Sequence, residues 1–300
     1  MPSRLAGDAA GRRAADFLAD KAIAFVEANR ENPFVLQVSP YAVHIPLSTT
    51  PELQQKYEAK QPMPGYPSRP EYAGLLEELD RSVGRIVDAI NRLGLSNNTL
   101  LMFTSDNGGL EHEQNGTIVT SNKPLRGEKG SLYEGGIRVP AIMRWPGVIP
   151  SGAVSATVAG TIDIHATLLD LAGVSAPSEP LDGVSFAPVL RQPDAELSRD
   201  ALYWHLPHYH HSTPASAMRR GDWKLIEFFE NGALELYNLR EDPGEQRNLA
   251  AEEPRRAAEL QKALAGWRAK VGARMPTPNL KYDPARANEL AGRTAGVRRR

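Results

Sequence analysis

Thr99-Leu100-Leu101-Met102-Phe103-Thr104-Ser105-Asp106-Asn107-Gly108-Gly109 joins a short apolar run to a polar, glycine-rich turn. The run has the length of a strand, and the turn puts a carboxylate and an amide at its carboxyl end. Upstream, Tyr72 to Leu93 carries Leu75, Leu76, Leu79, Val83, Ile86, Val87, Ile90 and Leu93 at helical spacing, with Gly94 as the stop. Further upstream, Phe34-Val35-Leu36-Gln37-Val38 predicts a strand buried on both faces that delivers Ser39 to His44. It follows an amphipathic helix over Ala14 to Ala28 that Asn32-Pro33 ends. Helix and strand alternate, which is the α/β pattern. In open α/β sheets ligands bind beyond the carboxyl ends of the strands, so Val43-His44 and Asp106-Asn107 are expected to converge there.

Outward from this centre, a Pro-rich loop follows His44. Val139 to Met143 reads as another short strand and Thr161 to Leu171 as a helix, before a turn-rich stretch from Gly173 to Gly183. The texture changes from about Leu202. Tyr203-Trp204-His205, Trp223 to Phe228 and Leu234 to Tyr237 predict a small antiparallel sheet, followed by a helix from Pro254 to Val271. The expected organisation is a main domain over 1–195, a small α+β subdomain over 196–285 and a tail over 286–300 that wraps the surface or frays.

Composition narrows the function. Lys and Arg total 35 against 36 Asp and Glu, so no global charge favours nucleic acid or an anionic membrane, and any anion specificity must be local. There is no cysteine, which excludes disulfides, thiolate metal sites and a cysteine nucleophile within the chain. No run approaches the ~20 apolar residues of a membrane span. Met1 to Ala10 has neither the apolar core nor the length of a secretion signal.

Asp106-Asn107 followed by two glycines offers oxygen ligands of the kind that Ca2+ or Mg2+ takes, and is equally a good turn sequence. Downstream, Asn122-Lys123-Pro124-Leu125-Arg126-Gly127-Glu128-Lys129-Gly130-Ser131-Leu132-Tyr133-Glu134-Gly135-Gly136-Ile137-Arg138 is dense in cations and glycines, as a loop that approaches an anion would be. Glu134 and Arg138 are expected to hold this loop in place by ion pairing rather than to touch substrate.

Ser39-Pro40-Tyr41-Ala42-Val43-His44-Ile45-Pro46, Phe103 to Gly109 and Gly130 to Pro140 resemble the ordered motifs of the formylglycine-dependent sulfatases, relatives of alkaline phosphatase. Ile142-Met143-Arg144-Trp145-Pro146-Gly147 and Leu181-Asp182-Gly183-Val184-Ser185 resemble that family too. The resemblance runs in the family's order from about residue 14 to 285. It implies an α/β fold, an alkaline-phosphatase-like mixed sheet flanked by helices, with a small C-terminal antiparallel sheet and helix. It also implies hydrolysis of a sulfate ester, carbohydrate or aryl, to alcohol and sulfate. Asp106 and Asn107 match the family's Ca2+ ligands, Mg2+ being the less suited ion. His44 and Lys129 match its sulfate-contacting histidine and lysine, and Lys123 is a second cation at the substrate's edge or in a structural role. Position 128 is glutamate where this subgroup leads one to expect glycine.

The family's nucleophile is a formylglycine made from Cys or Ser in a Cys/Ser-x-Pro-Ser-Arg motif, which is not intact here; Met1-Pro2-Ser3-Arg4 carries only part of it. The family's earlier acidic pair and its Gly-Lys-Trp-His segment have no counterpart either. The sequence is therefore read as the C-terminal two-thirds of such an enzyme, inactive and weak in Ca2+ binding by itself, with exposed strand edges that a complementing N-terminal chain would cover. A phosphoester or phosphonate hydrolase of the same superfamily, and a non-catalytic binding protein, are the competing readings. Tyr203 to His211 gathers aromatics and imidazoles, so His205, His208 and His210 are candidate sugar contacts, with surface packing or adventitious metal binding as the plainer alternatives. The family implies a periplasmic or extracellular location.

Overall fold

The computed structural model describes residues 13–111, 113–114, 117–175 and 181–283. Met1-Pro2-Ser3-Arg4, the tail over 286–300 and residues 176–180 of the turn-rich stretch lie outside the described residues. The chain divides into two compact units, one of residues 1–102 with 143–147, the other of residues 103–142 with 148–300.

The first unit is built on three helices, α1 (Ala14–Ala28), α2 (Pro51–Glu58) and α3 (Pro70–Arg92). α1 buries Ala15, Phe17, Ala19, Ala22 and Val26 and packs on α3, whose buried face includes Leu75, Ala89 and Ile90; of the apolar residues that suggested the helix, Phe17 and Val26 are buried, Leu18 and Ile23 are half-buried and Phe25 is exposed. α2 lies inside the stretch expected to be a Pro-rich loop. Its start was legible, because Thr50 accepts from the Leu53 N–H and Pro51 occupies the first turn, where its missing N–H costs nothing. Phe34 to Val38 corrects the expectation of a buried strand. The run is not a strand, and Val35 is 70% exposed. Apolar content alone cannot make a strand, since its backbone must pair with a neighbour.

A two-stranded sheet joins β1 (Leu101–Thr104) to β4 (Ala141–Arg144), and β2 (Glu113–Gln114) pairs with β3 (Thr117–Ile118). In the second unit, α4 (Glu134–Ile137) is a single turn, and α5 (Asp163–Leu171) and α6 (Ala187–Arg191) follow. The buried Asp163 carboxylate organises that region. It accepts from the backbone N–H groups of Gly160 and Val184 and pairs with Arg199. At Gly183 a Cβ would stand 2.0 Å from the Ile162 carbonyl oxygen, so the glycine of the Leu181 to Ser185 motif is required by close backbone approach.

The C-terminal subdomain is a four-stranded antiparallel sheet in the order β5 (Leu202–Leu206), β6 (Ala215–Arg220), β7 (Trp223–Phe228), β8 (Leu234–Asn238), with α7 (Pro254–Lys270) after it. β6 was not foreseen. Ala215-Ser216-Ala217-Met218-Arg219-Arg220 lacks β-branched and aromatic residues, and it becomes a strand because β5 and β7 pair with it on both sides. Side chains alternate between the two faces. One face presents Met218, Leu225 and Leu236 to Ala257, Leu260 and Leu264 of α7. The other presents Ala215, Ala217, Ile226 and Tyr237, which pack with Leu132 and, at the margin, Tyr133 and Ile137 of the loop before and through α4.

α2 is tied to α3 through Glu77. Its carboxylate takes two bonds from Lys56 Nζ, at 2.9 and 2.7 Å, and one from the Tyr57 hydroxyl at 2.8 Å. The Lys56 and Tyr57 bonds hold the Glu77 carboxyl well below the usual range, at about 2. A depressed carboxylate pKa contributes stability that is present above its unfolded value and lost as pH falls toward the folded one. Glu77→Gln is therefore expected to lower Tm at neutral pH and to flatten the fall in Tm between pH 4.5 and about 2. Thermal unfolding of both proteins across that range checks it.

Candidate active site

The turn after β1 and the loop that ends in α4 form one knot of backbone. The Gly108 N–H donates to the Gly136 carbonyl at 3.0 Å and the Lys129 N–H to the Gly109 carbonyl at 3.2 Å. Asn122 sews the two segments together, accepting from the Gly109 N–H at 2.9 Å and donating to the carbonyls of Gly109 at 2.8 Å and Gly127 at 3.1 Å. A Cβ on Gly108 would lie 1.7 Å from the Gly135 oxygen, and one on Gly135 would lie 2.2 Å from the Gly127 oxygen. The glycines expected to admit an anion thus serve first to let three stretches of main chain touch. The result brings Asp106, Asn107 and Lys129 together.

Asp106 is exposed and Asn107 half-buried. The Asn107 side-chain nitrogen donates to the Gly108 carbonyl at 2.9 Å, which leaves Oδ1 as the ligand atom of that amide. Ser105 braces the turn through the Asn107 carbonyl at 3.1 Å. Lys129 is half-buried, and Lys123 is exposed at the far end of the loop.

The histidine-rich stretch divides. His205 sits on β5 with Nδ1 at 2.7 Å from Ser216 Oγ and Nε2 at 2.8 Å from the Arg274 carbonyl. Both ring nitrogens are engaged inside the subdomain, so its geometry is that of a structural histidine. His208 is exposed, away from any hydrogen bond that would give it a defined role. His210 reaches the knot, for a Cβ on Gly130 would meet its Nδ1 at 1.9 Å. Ser212 Oγ donates to the Gly130 carbonyl at 3.0 Å, and His211 faces Glu128 at 3.7 Å. Glu128, the departure from the family pattern, thus has a partner in the next subdomain.

His44 belongs to the first unit. Its exposed ring lies 5.2 Å from that of Tyr41, and Nδ1 is 2.8 Å from the Ile45 carbonyl. A carbonyl only accepts, so Nδ1 carries the hydrogen in that bond.

Beneath the knot lies a cluster that the sequence reading did not find. Lys224 on β7 is fully buried, with Nζ 2.9 Å from Glu134 Oε1 and 2.8 Å from Glu245 Oε1. Glu245 Oε2 accepts from the Glu134 backbone N–H at 2.7 Å. Burial pushes the Glu245 carboxyl above its ordinary range, and Lys224 pulls it back. Arg219 and Arg138 stand 3.7 and 3.8 Å from Glu134 Oε2. Alongside, the Tyr133 and Tyr237 hydroxyls each donate to Glu235 Oε2 at 2.7 Å, and Arg126 donates to the Tyr237 oxygen at 2.9 Å and the Glu245 carbonyl at 3.0 Å. Burial and the neighbouring Glu235 raise both tyrosine pKa values. The expectation that Glu134 anchors the loop is met. Its partners Lys224 and Glu245 carry no motif signal, since a lysine in a strand ordinarily reads as a solvent-facing residue.

Residues 5–174 match the family model described as Sulfatase, and residues 127–270 match that of the C-terminal part of N-sulphoglucosamine sulphohydrolase. The chain belongs to the sulfatase family. It is 35% identical over 285 residues to a sulfatase of Formosa agariphila, covering 86% of this chain and 50% of that protein. It is 31% identical over 296 residues to the steryl-sulfatase of Mus musculus, covering 87% and 45%. The chain thus spans about half the length of these relatives. The solved structure of Ps i-CgsB in complex with k-i-k-neocarrahexaose superposes with a TM-score of 0.75 at 25% identity, covering 96% of this chain and 60% of that one. The fold is the alkaline-phosphatase-like one of the sulfatases, in agreement with the sequence reading.

Removing a buried cation strands the carboxylates that face it, at about 3–5 kcal/mol. Lys224→Met is expected to lose that much unfolding free energy in urea. A loss below about 1 kcal/mol would show that Glu134 and Glu245 do not depend on the cation.

Proposed function

We propose that this chain carries the sulfate-binding side of an active site that hydrolyses a sulfate ester to an alcohol and sulfate. The observation that carries the reading is the juxtaposition of Lys129 with the Asp106-Asn107 turn through the Gly109 carbonyl. Lys129 supplies a charge-assisted donor to a sulfate oxygen, and Asp106 and Asn107 supply hard oxygen ligands beside it. The family resemblance adds His44 as a further proposed sulfate contact and Lys123 as a cation at the substrate's edge. His210, beside Gly130, is the proposed contact to the alcohol portion. His205 is left out because its ring nitrogens are already bonded. A sulfated carbohydrate or aryl sulfate is the proposed substrate class, in keeping with an oligosaccharide-bound structural neighbour and a steryl-sulfatase relative. Residues 1–195 are read as catalytic-domain sequence and 196–285 as the subdomain behind it.

The family implies Ca2+ and a formylglycine. Among the described residues no group of three or more His, Asp or Glu side chains gathers around a potential metal position. Asp106 and Asn107 offer two side-chain oxygens where Ca2+ takes about six to eight ligands. The residues present therefore fit one edge of a Ca2+ site, and the chain alone is expected to bind Ca2+ weakly. No precursor motif for formylglycine occurs in the 300 residues, so no covalent step is assigned to them. A complementing chain with further ligands and a nucleophile is the proposed partner, and a periplasmic or extracellular setting is the proposed location.

Titration calorimetry with sulfate, and phosphate as comparison, tests the reading. Lys129→Ala is expected to weaken sulfate binding about tenfold to a hundredfold, the value of a hydrogen bond from a charged donor. His44→Ala is expected to weaken sulfate binding as well. Sulfate binding indifferent to both substitutions would overturn the assignment, and a preference for phosphate would favour the phosphoester reading.

A further inference from the structure

Glu245 is the one non-glycine residue among the described residues with a positive φ, at 51°. A side chain there costs backbone energy, so something local holds it. What holds it is a carboxylate with no solvent exposure that grips two groups at once, the Lys224 ammonium and the Glu134 backbone N–H. From Glu134 the main chain runs directly into Gly135 and Gly136. Gly135 donates to the Arg126 carbonyl at 2.7 Å, and Gly136 receives the Gly108 N–H at 3.0 Å. Gly108 adjoins Asn107, and Gly109 receives the Lys129 N–H. An unbroken series of bonds thus leads from the interior of the C-terminal sheet to both proposed anion- and cation-facing groups.

The direction of Lys224 explains why the sheet can do this. Arg219 and Lys224 are cross-strand partners, as are Lys224 and Tyr237. Period-two alternation puts Lys224, Ile226, Glu235 and Tyr237 on the face that receives the loop, and Leu225 and Leu236 on the face that receives α7. The loop is therefore seated on a charged and hydroxylated floor. On the opposite face α7 packs on Met218, Leu225 and Leu236, with Glu227 bonded to Gln261 and Arg268 beside them.

We infer that Glu245 and Lys224 are positioning residues for the sulfate site, and that the C-terminal subdomain acts on sulfate recognition through Glu134 without touching the anion. The inference rests on the reading of Lys129 as a sulfate donor. It goes beyond that reading by assigning a role to residues that face away from the ligand.

Three variants of the full chain test it. Glu245→Gln keeps an acceptor for the Glu134 N–H and removes the charge, and Lys224→Met removes the cation. Leu264→Ala opens space under the same sheet on its other face, so it destabilises the subdomain without altering the clamp. Sulfate affinity by calorimetry and amide hydrogen exchange at Gly108, Lys129 and Gly135 are read at a temperature where all are folded. Glu245→Gln is expected to weaken sulfate binding at least about tenfold, within the range of site-to-site coupling, and to speed exchange at those amides. Lys224→Met does the same, and Leu264→Ala changes affinity less than about twofold. Equal losses in Leu264→Ala, or wild-type affinity and exchange in folded Glu245→Gln, would overturn the inference. If the wild-type chain binds no sulfate, the functional reading fails by itself. The exchange measurement then decides the coupling, which stands if Glu245→Gln frees those amides and Leu264→Ala does not, and falls otherwise. Should Lys224→Met not fold, Glu245→Gln and Leu264→Ala suffice.

Discussion

Lys224 is an ammonium group sealed from water, and two carboxylates from distant parts of the sequence converge on it. Glu134 is the first residue of the short helix α4, and Glu245 comes from the turn after the last strand of the sheet. None of the three could stay ionised in that place alone, because desolvation of a single charge would outweigh anything a protein of this size can spare. Together with Arg219 and Arg138 they form a group in which three cations face two carboxylates. The loop, the sheet and the turn must therefore be positioned together or not at all.

The consequence is a subdomain with two dissimilar faces. Toward α7 the sheet is held by apolar burial, through Met218, Leu225 and Leu236 on Ala257, Leu260 and Leu264. The apolar part of that contact is non-directional, and Gln261 and Arg268 of α7 add bonds to Glu227 of β7. Toward the loop, hydrophobic packing around Leu132 and Ile226 is combined with directional bonds to Glu235, Tyr237, Lys224 and Glu245. Directional bonds fix orientation as well as distance. The loop that carries Lys129 is the one part of the chain on which a sulfate site would need such orientation.

The histidines show how the same residue type takes different roles by position. His205 lies in the sheet and spends one ring nitrogen on Ser216 of the neighbouring strand and the other on the Arg274 carbonyl, while His210 projects from the strand connection onto Gly130. His211 meets Glu128, so the acidic residue beside Lys129 is faced by an imidazole from the subdomain rather than left to oppose an incoming anion. Residues 127–270, matched by the C-terminal family model, contain both halves of the His210–Gly130 and His211–Glu128 contacts.

Much was legible in the sequence. Helical periodicity located α1 at its observed bounds and α3 and α7 within two residues of theirs, because apolar spacing at 3.6 residues is a local property that burial of one face enforces. The strand-to-turn reading of Leu101 to Gly109, the expectation of an anchored Glu134 and the family motifs were also fixed locally. Tertiary structure alone decided the rest. Phe34 to Val38 has a strand's composition and is no strand, whereas Ala215 to Arg220 lacks that composition and is one, since strand formation depends on neighbours that sequence spacing does not reveal. Likewise Lys224 reads as a surface charge until Glu134, ninety positions earlier, and Glu245, in a left-handed turn, are folded against it. A buried charge is permitted only by partners in space, and that pairing is a property of the fold rather than of any segment of the chain.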